Sequence, residues 1–191
     1  MTQQISFKSI SAPKVMERRK KEFPPFIIDL RPPAAYLEGH LAGAFNFPLE
    51  HLTDHLEELP PFSAIVVYSD EAGQDLELAL NLLAENGFTN FMAVEGGWPA
   101  LKDAVKGEAK LSDWAPEDWL ARVDSVLTER VRPTLQADGG DVRLLEVTQG
   151  HLKLKYLGAC NGCQASSGGT LIMIRAALAA HLNEEFKISL G

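Results

Sequence analysis

The chain has 191 residues with a formal net charge of −8, and 46% of its residues are hydrophobic. This size suits one large domain or two small ones, and this composition suits a globular chain with a substantial core. No run approaches the ~18–20 consecutive apolar residues of a membrane span, and neither half has an excess of basic residues, so neither a membrane nor nucleic acid is an expected partner.

Strand and helix signals alternate along the first half of the chain. The run Ala64–Tyr68 has almost no polar residue, which is typical of a central strand buried on both faces. This alternation predicts a doubly wound, parallel α/β sheet. The predicted elements are strands at 5–10, 26–30, 64–68 and 91–94, a helix beginning at Ser11, a helical turn at 34–37 and a helix at 74–85.

The second half differs in pattern and predicts a smaller α/β (α+β) domain. We predict a first domain at 1–107, a polar linker at 108–117 and a second domain at 118–191. A turn at Gln149-Gly150 separates two apolar runs, as in a β-hairpin. The predicted elements are a helix from about residue 116 that ends near Arg132-Pro133, strands at 142–147 and 151–157, a helix at 170–182 and a strand at 186–190.

The only two cysteines, Cys160 and Cys163, lie three positions apart between a predicted strand and a predicted helix. A single neighbouring pair cannot form a disulfide framework, so we expect a chemical role in a reducing cytoplasmic compartment. Helix N-termini favour negative charge and stabilise thiolates. The pair could be half of a zinc site, a redox dithiol, a structural pair or a set of iron–sulfur ligands.

The motif Leu135-Gln-Ala-Asp-Gly-Gly-Asp-Val142, followed by Gly158-Ala-Cys-Asn-Gly-Cys163, resembles the C-terminal domain of NifU-type proteins. The resemblance covers about 70 residues. It implies a domain that assembles or carries a [4Fe–4S] cluster through Cys160 and Cys163. The turn Asp138–Asp141 is interpreted as structural, since glycines permit positive φ and aspartates cap amides.

Five motifs occur in order along the first half: Ile28-Asp-Leu-Arg31, Tyr36–His40, Gly43–Pro48, Gly87-Phe88 and Glu95–Pro99. Together they resemble the rhodanese homology domain over about residues 3–105. The resemblance implies a sulfur-carrying cysteine after the central strand, but Ser69 occupies that position, and a hydroxyl cannot store sulfur as a persulfide. Acidic residues in the next loop would also repel an anionic sulfur donor. We therefore predict no catalytic residue here.

Other polar residues of the first half receive structural interpretations. Ser69 as a hydrolase nucleophile would need a base within reach, and His40 is expected to be satisfied inside the fold. His51 and His55 are four residues apart but lie among acids, which favours a solvated surface over a metal site. We expect Trp98 to pack, and Asp29 and Arg31 to form a local pair.

The resulting hypothesis is an iron–sulfur cluster scaffold or carrier, with cluster donor and recipient proteins as partners. Since a [4Fe–4S] cluster normally takes four thiolates and this chain has two, we expect a homodimer that shares one cluster. The rival hypothesis is a thiol-dependent sulfurtransferase or dithiol oxidoreductase that uses Cys160 or Cys163.

Overall fold

The structure is a computed structural model that describes residues 7–21, 23–60, 63–71, 73–159 and 169–191. The chain divides into two compact units, Met1–Lys106 and Gly107–Gly191. Each unit has its own buried apolar core. Among the helices that the structure describes, none combines the length and the apolar character that spanning a bilayer demands.

The first unit is a five-stranded parallel sheet flanked by helices, as the alternating pattern predicts. The strand order is β1-β5-β4-β2-β3. The strands are β1 Ser9–Ile10, β2 Phe26–Asp29, β3 Phe45–Asn46, β4 Ile65–Tyr68 and β5 Phe91–Val94. The helices are α1 Ala12–Arg19, α2 Pro33–Glu38, a 3-10 helix Leu49–Glu58, α3 Gln74–Glu85 and α4 Gly97–Ala104.

Strand β4 occupies the centre of the sheet, and all four of its side chains are buried. Burial on both faces explains its uninterrupted apolar sequence, since helices cover a parallel sheet on each side. Parallel strands bring their carboxyl ends to one edge of the sheet. The ends of β2 and β4 therefore place Asp29 and Ser69 at the same edge.

The second unit is a small mixed sheet covered by helices. Strands β6 Gly140–Thr148 and β7 His151–Gly158 form the predicted antiparallel hairpin, and β8 Lys187–Leu190 adds to β7 in parallel. Gly150 turns the hairpin with a φ of 68°. The helices are a 3-10 turn Leu111–Asp113, α5 Pro116–Val126, a π-helical segment Leu127–Val131, α6 Arg132–Ala137 and α7 Gly169–Leu182.

The helical stretch of the second unit continues past Pro133, which corrects the predicted end near Arg132-Pro133. Proline lacks an N–H and its ring clashes with the carbonyl four residues earlier, so it normally interrupts an α-helix. Here the wider π turn of Leu127–Val131 comes just before it, and Pro133 sits in the first turn of α6. No N–H is needed at that position. The chain thereby remains helical to Ala137.

The range 108–117, where we predict a linker, contains ordered contacts with the second unit. Leu111 is buried in that unit's core, and the Ser112 N–H donates to the Glu184 carboxylate at 2.9 Å. Leu111 is the only large aliphatic residue in this polar range. Its burial explains why the chain before Pro116 folds onto the second unit.

Candidate functional site

The predicted cluster ligands, Cys160 and Cys163, lie outside the described residues. The segment 160–168 connects β7 to α7. Its described flanks are Ala159 at the end of the hairpin and Gly169 at the start of α7. Of these two flanks, Ala159 contacts the Asp138–Gly140 turn.

The residues just before the cysteine segment make a tight backbone contact with the Asp138–Gly140 turn. Gly158 has a φ of 61°, and a Cβ there would lie only 2.4 Å from the Gly139 carbonyl oxygen. The next residue, Ala159, donates its N–H to that same oxygen at 3.0 Å. Only glycine fits this conformation and this approach. The turn therefore fixes the point at which the cysteine segment leaves the sheet.

Asp141 and Arg132 anchor the turn to the helix before it. The Arg132 guanidinium donates to the Val142 carbonyl at 3.0 Å and to the Asp124 carboxylate at 2.7 Å. Its Nε lies 3.7 Å from Asp141, whose carboxylate also accepts from the Val142 N–H at 2.7 Å. These contacts agree with a structural role for the Asp-Gly-Gly-Asp turn.

The histidines of the second unit lie away from the base of the cysteine segment. His151 begins β7, seven residues before Gly158, which is a distance of about 23 Å along a strand. His181 is in the last turn of α7, at the opposite end from Gly169. Over the described ranges, no group of three His, Cys, Asp or Glu side chains could hold a metal ion.

In the first unit, Ser69 follows β4 at the carboxyl edge of the sheet. Its carbonyl accepts the Trp98 N–H at 2.7 Å, and a Cβ on Gly97 would lie 2.4 Å from the same oxygen. Within the part of the chain that is described, no hydrogen bond joins the Ser69 hydroxyl to a histidine or carboxylate. A serine without a base at hydrogen-bond distance is not activated as a nucleophile.

A buried ion pair supports this edge, as the sequence predicts for Asp29 and Arg31. The Arg31 guanidinium donates to Asp29 at 2.7 Å and to the Gly39 carbonyl at 2.8 Å. Its carbon lies 4.6 Å from the Trp98 ring centroid, so Trp98 packs as expected. The guanidinium also lies 3.6 Å from Asp70, a contact that the sequence alone does not predict.

Burial and the charge of Asp29 together control the ionisation of this cluster. Burial on its own lowers the pKa of Arg31, but the hydrogen bonds and charge of Asp29 outweigh it and raise that pKa. Burial, together with the charge of Asp29, raises the pKa of the Tyr68 hydroxyl well above its ordinary value. The cluster therefore consists of a fixed cation, its carboxylate partner and a neutral phenol.

The remaining histidines of the first unit have local partners. His40 stacks on Tyr36 at 3.6 Å, and its Nδ1 lies 2.8 Å from the Tyr36 carbonyl oxygen. His55 stacks on Phe47 at 4.2 Å and lies 2.7 Å from Glu58. His51 is half exposed between acidic neighbours. This arrangement agrees with a solvated polar surface at His51 and His55.

Comparisons with known proteins assign both halves of the chain. Residues 11–104 match the rhodanese-like domain, and residues 123–189 match the NifU-like domain. A solved structure of the Alr3790 protein from Anabaena sp. is 33% identical over 49% of this chain and 76% of that one, with a TM-score of 0.44.

Three curated relatives carry iron–sulfur or nitrogen-fixation names. The human "NFU1 iron-sulfur cluster scaffold homolog, mitochondrial" is 28% identical over 84% of this chain and 58% of its own length. The "Fe/S biogenesis protein NfuA" of Haemophilus ducreyi is 35% identical over 46% of this chain and 43% of its own length. The "Nitrogen fixation protein NifU" of Anabaena sp. (strain L31) is 41% identical over 34% of this chain and 57% of its own length.

The chain spans only part of these relatives, from 43% of the Haemophilus ducreyi protein to 58% of the human protein. The domain assignment nevertheless agrees with the two units of the structure and with the motifs of each half. Both cysteines lie in the second match, and the first match contains none. The chain therefore combines an N-terminal rhodanese-like domain that has no cysteine with a C-terminal NifU-like domain.

Proposed function

We propose that this chain is an iron–sulfur cluster scaffold or carrier that holds a [4Fe–4S] cluster through Cys160 and Cys163 for transfer to other proteins. The observation that carries the proposal is the position of the only two cysteines within the NifU-like match. The names of the relatives support the same class of cargo. Cysteine thiolates are the ordinary ligands of such clusters.

The anchored start of the cysteine segment suits this role. A cluster carrier must present thiolates at a fixed place while leaving the cluster accessible to a recipient. The contact between Ala159 and the Gly139 carbonyl anchors the residue directly before Cys160. We expect the second thiolate to lie near the first, because Cys163 follows Cys160 by three positions.

The number of thiolates favours a shared site. Two chains related by a two-fold axis would supply four thiolates, one for each iron. Cluster binding would then promote dimerisation, because the cluster binds only the dimer. We expect donor and recipient proteins as partners, in a reducing compartment such as the cytoplasm.

We further propose that the rhodanese-like domain is not an enzyme. Residues 11–104 contain no cysteine that could carry sulfur. The segment after Ser69 contains Asp70 and Glu71, and the Arg31 guanidinium, which lies 3.6 Å from Asp70, is already paired with Asp29. An anionic sulfur donor would therefore meet the carboxylates of Asp70 and Glu71, while the Arg31 guanidinium is already engaged by Asp29.

Anaerobic reconstitution with iron and sulfide tests the proposed cargo. The unmodified protein is expected to retain iron and acid-labile sulfide in equal amounts, while Cys160→Ser and Cys163→Ser each lose them. Ser69→Ala is the matched control and should behave as the unmodified protein. A metal-free dithiol that cycles between reduced and oxidised forms would instead support the oxidoreductase alternative.

A further inference from the structure

The sheet of the NifU-like unit has one face packed on the core and one open face. Along β7 the side chains alternate strictly: Leu152, Leu154 and Tyr156 are buried, while Lys153 and Lys155 are exposed. Successive side chains of a strand point to opposite faces. The two lysines therefore lie together on the face away from the helices.

Neighbouring strands add two cations to this face. Arg143 of β6 lies directly opposite Lys155, and it is exposed between Val142 and Leu144, which pack on the core. Lys187 of β8 is exposed and pairs in register with His151, which shares the face of Lys153 and Lys155. We call this set the basic face: Arg143, Lys153, Lys155 and Lys187.

The basic face forms no ion pair with the described residues of its own chain: none of its four cations lies within 4.0 Å of an acidic oxygen. Of the two acids on β6, Asp141 contacts Arg132, and Glu146 is opposite Lys153 in register without forming an ion pair. Like charges placed directly opposite across strands, as Arg143 and Lys155 are, destabilise a sheet.

The basic face contrasts with the acidic balance of the whole chain. The whole chain carries 26 acidic and 18 basic side chains, yet four cations share one open sheet face. A repulsive arrangement that the fold does not need is best explained by a function in binding. Opposite charge across an interface increases association rates and selects partners.

We propose that the basic face docks an acidic surface of a partner protein. Nucleic acid is disfavoured as the occupant because the net charge of −8 repels a polyanion of high charge density. The four side chains span three strands, which suits a flat protein surface. This inference depends on the charges alone and not on whether a cluster is bound.

Binding of a short, fluorescein-labelled, glutamate-rich peptide to the full apo chain tests the proposal. We expect fluorescence anisotropy to show binding that weakens with added salt. Lys155→Glu should reduce the affinity by about tenfold. The matched control is Arg130→Glu, an exposed helical residue of the same unit with the same change in net charge, which should reduce it by less than about twofold.

Thermal unfolding of the same variants provides an independent measurement. Lys155→Glu removes the repulsion with Arg143, so it should raise the melting temperature of the NifU-like unit by about 2–4 °C while it weakens binding. Equal loss of peptide binding in both variants would overturn the proposal. Tighter binding to duplex DNA than to the peptide would also overturn it. Neither outcome changes the iron content of the reconstituted protein. Failure of the docking proposal is therefore distinguishable from failure of the proposed function in cluster binding.

Discussion

Gly158 provides a direct test of how the cysteine segment is anchored. Replacing it with alanine puts a Cβ 2.4 Å from the Gly139 carbonyl oxygen, at a residue whose φ is 61°. Gly150 is the matched control because its φ is 68° and nothing lies within 4 Å of its Cβ position. The two glycines share the backbone strain and differ in the close contact.

The expected magnitudes follow from this difference. An alanine at positive φ costs about 1 kcal/mol relative to glycine, and Gly150→Ala should show this cost alone. Gly158→Ala adds overpacking, about 1–3 kcal/mol, and loss of the Ala159–Gly139 hydrogen bond, about 1 kcal/mol. We therefore expect the free energy of unfolding to fall by about 3–5 kcal/mol in Gly158→Ala.

Urea unfolding followed by tryptophan fluorescence can measure this difference. In a Trp98→Phe background the remaining tryptophans, Trp114 and Trp119, both lie in the NifU-like unit and report its unfolding. Iron retention should fall in Gly158→Ala and persist in Gly150→Ala. Equal destabilisation of the two variants would refute the close contact, and full iron retention in a folded Gly158→Ala variant would refute its role in anchoring the cysteines.

Three further predictions concern the rhodanese-like domain. The protein should lack thiosulfate sulfurtransferase activity, and Ser69→Cys should restore little because Asp70 and Glu71 remain; strong turnover by that variant would contradict the electrostatic argument. Asp29→Asn should destabilise the unit by about 3–5 kcal/mol, because it leaves the Arg31 guanidinium buried without its charge partner. The exposed control Glu57→Gln should change the stability by less than about 0.5 kcal/mol, and thermal unfolding measures both variants. The pKa of Tyr68 is raised in the folded state, so the contribution of this group to the free energy of unfolding should be fully present below about pH 10 and fall by about 1.4 kcal/mol per pH unit above it. Tyr68→Phe should remove that part of the pH dependence, as measured by chemical denaturation at each pH.

Elements with a strong local pattern could be predicted from the sequence. Helix α3 begins and ends where the spacing of its apolar residues and Asn86-Gly87 predict, and β4 coincides with the uninterrupted run of β-branched residues. Strand β3 has two residues, and α4 begins with glycines and a proline, so neither has a local pattern. The π turn before Pro133 has no local pattern in the sequence that predicts it.

The candidate site likewise has one part that the sequence predicts and another part that it does not. Cys160 and Cys163 are apparent from composition, spacing and family resemblance, and their assignment as ligands stays a prediction. The contact between Gly158 and Gly139 depends on the register of the β6–β7 hairpin, which the sequence suggests only through the turn at Gly150. The basic face likewise requires the register that puts Arg143 opposite Lys155. Spacing within one segment and the hairpin itself could be interpreted from sequence, but the register between the two strands could not.

Native mass spectrometry of the anaerobically reconstituted protein tests the central claim most directly. We predict a species of two chains with four irons and four sulfides, which is absent when Cys160→Ser and Cys163→Ser are combined. The iron-free protein should show less of the dimer under the same conditions. A single chain that stably carries four irons, or a cluster that survives loss of both cysteines, would contradict the account.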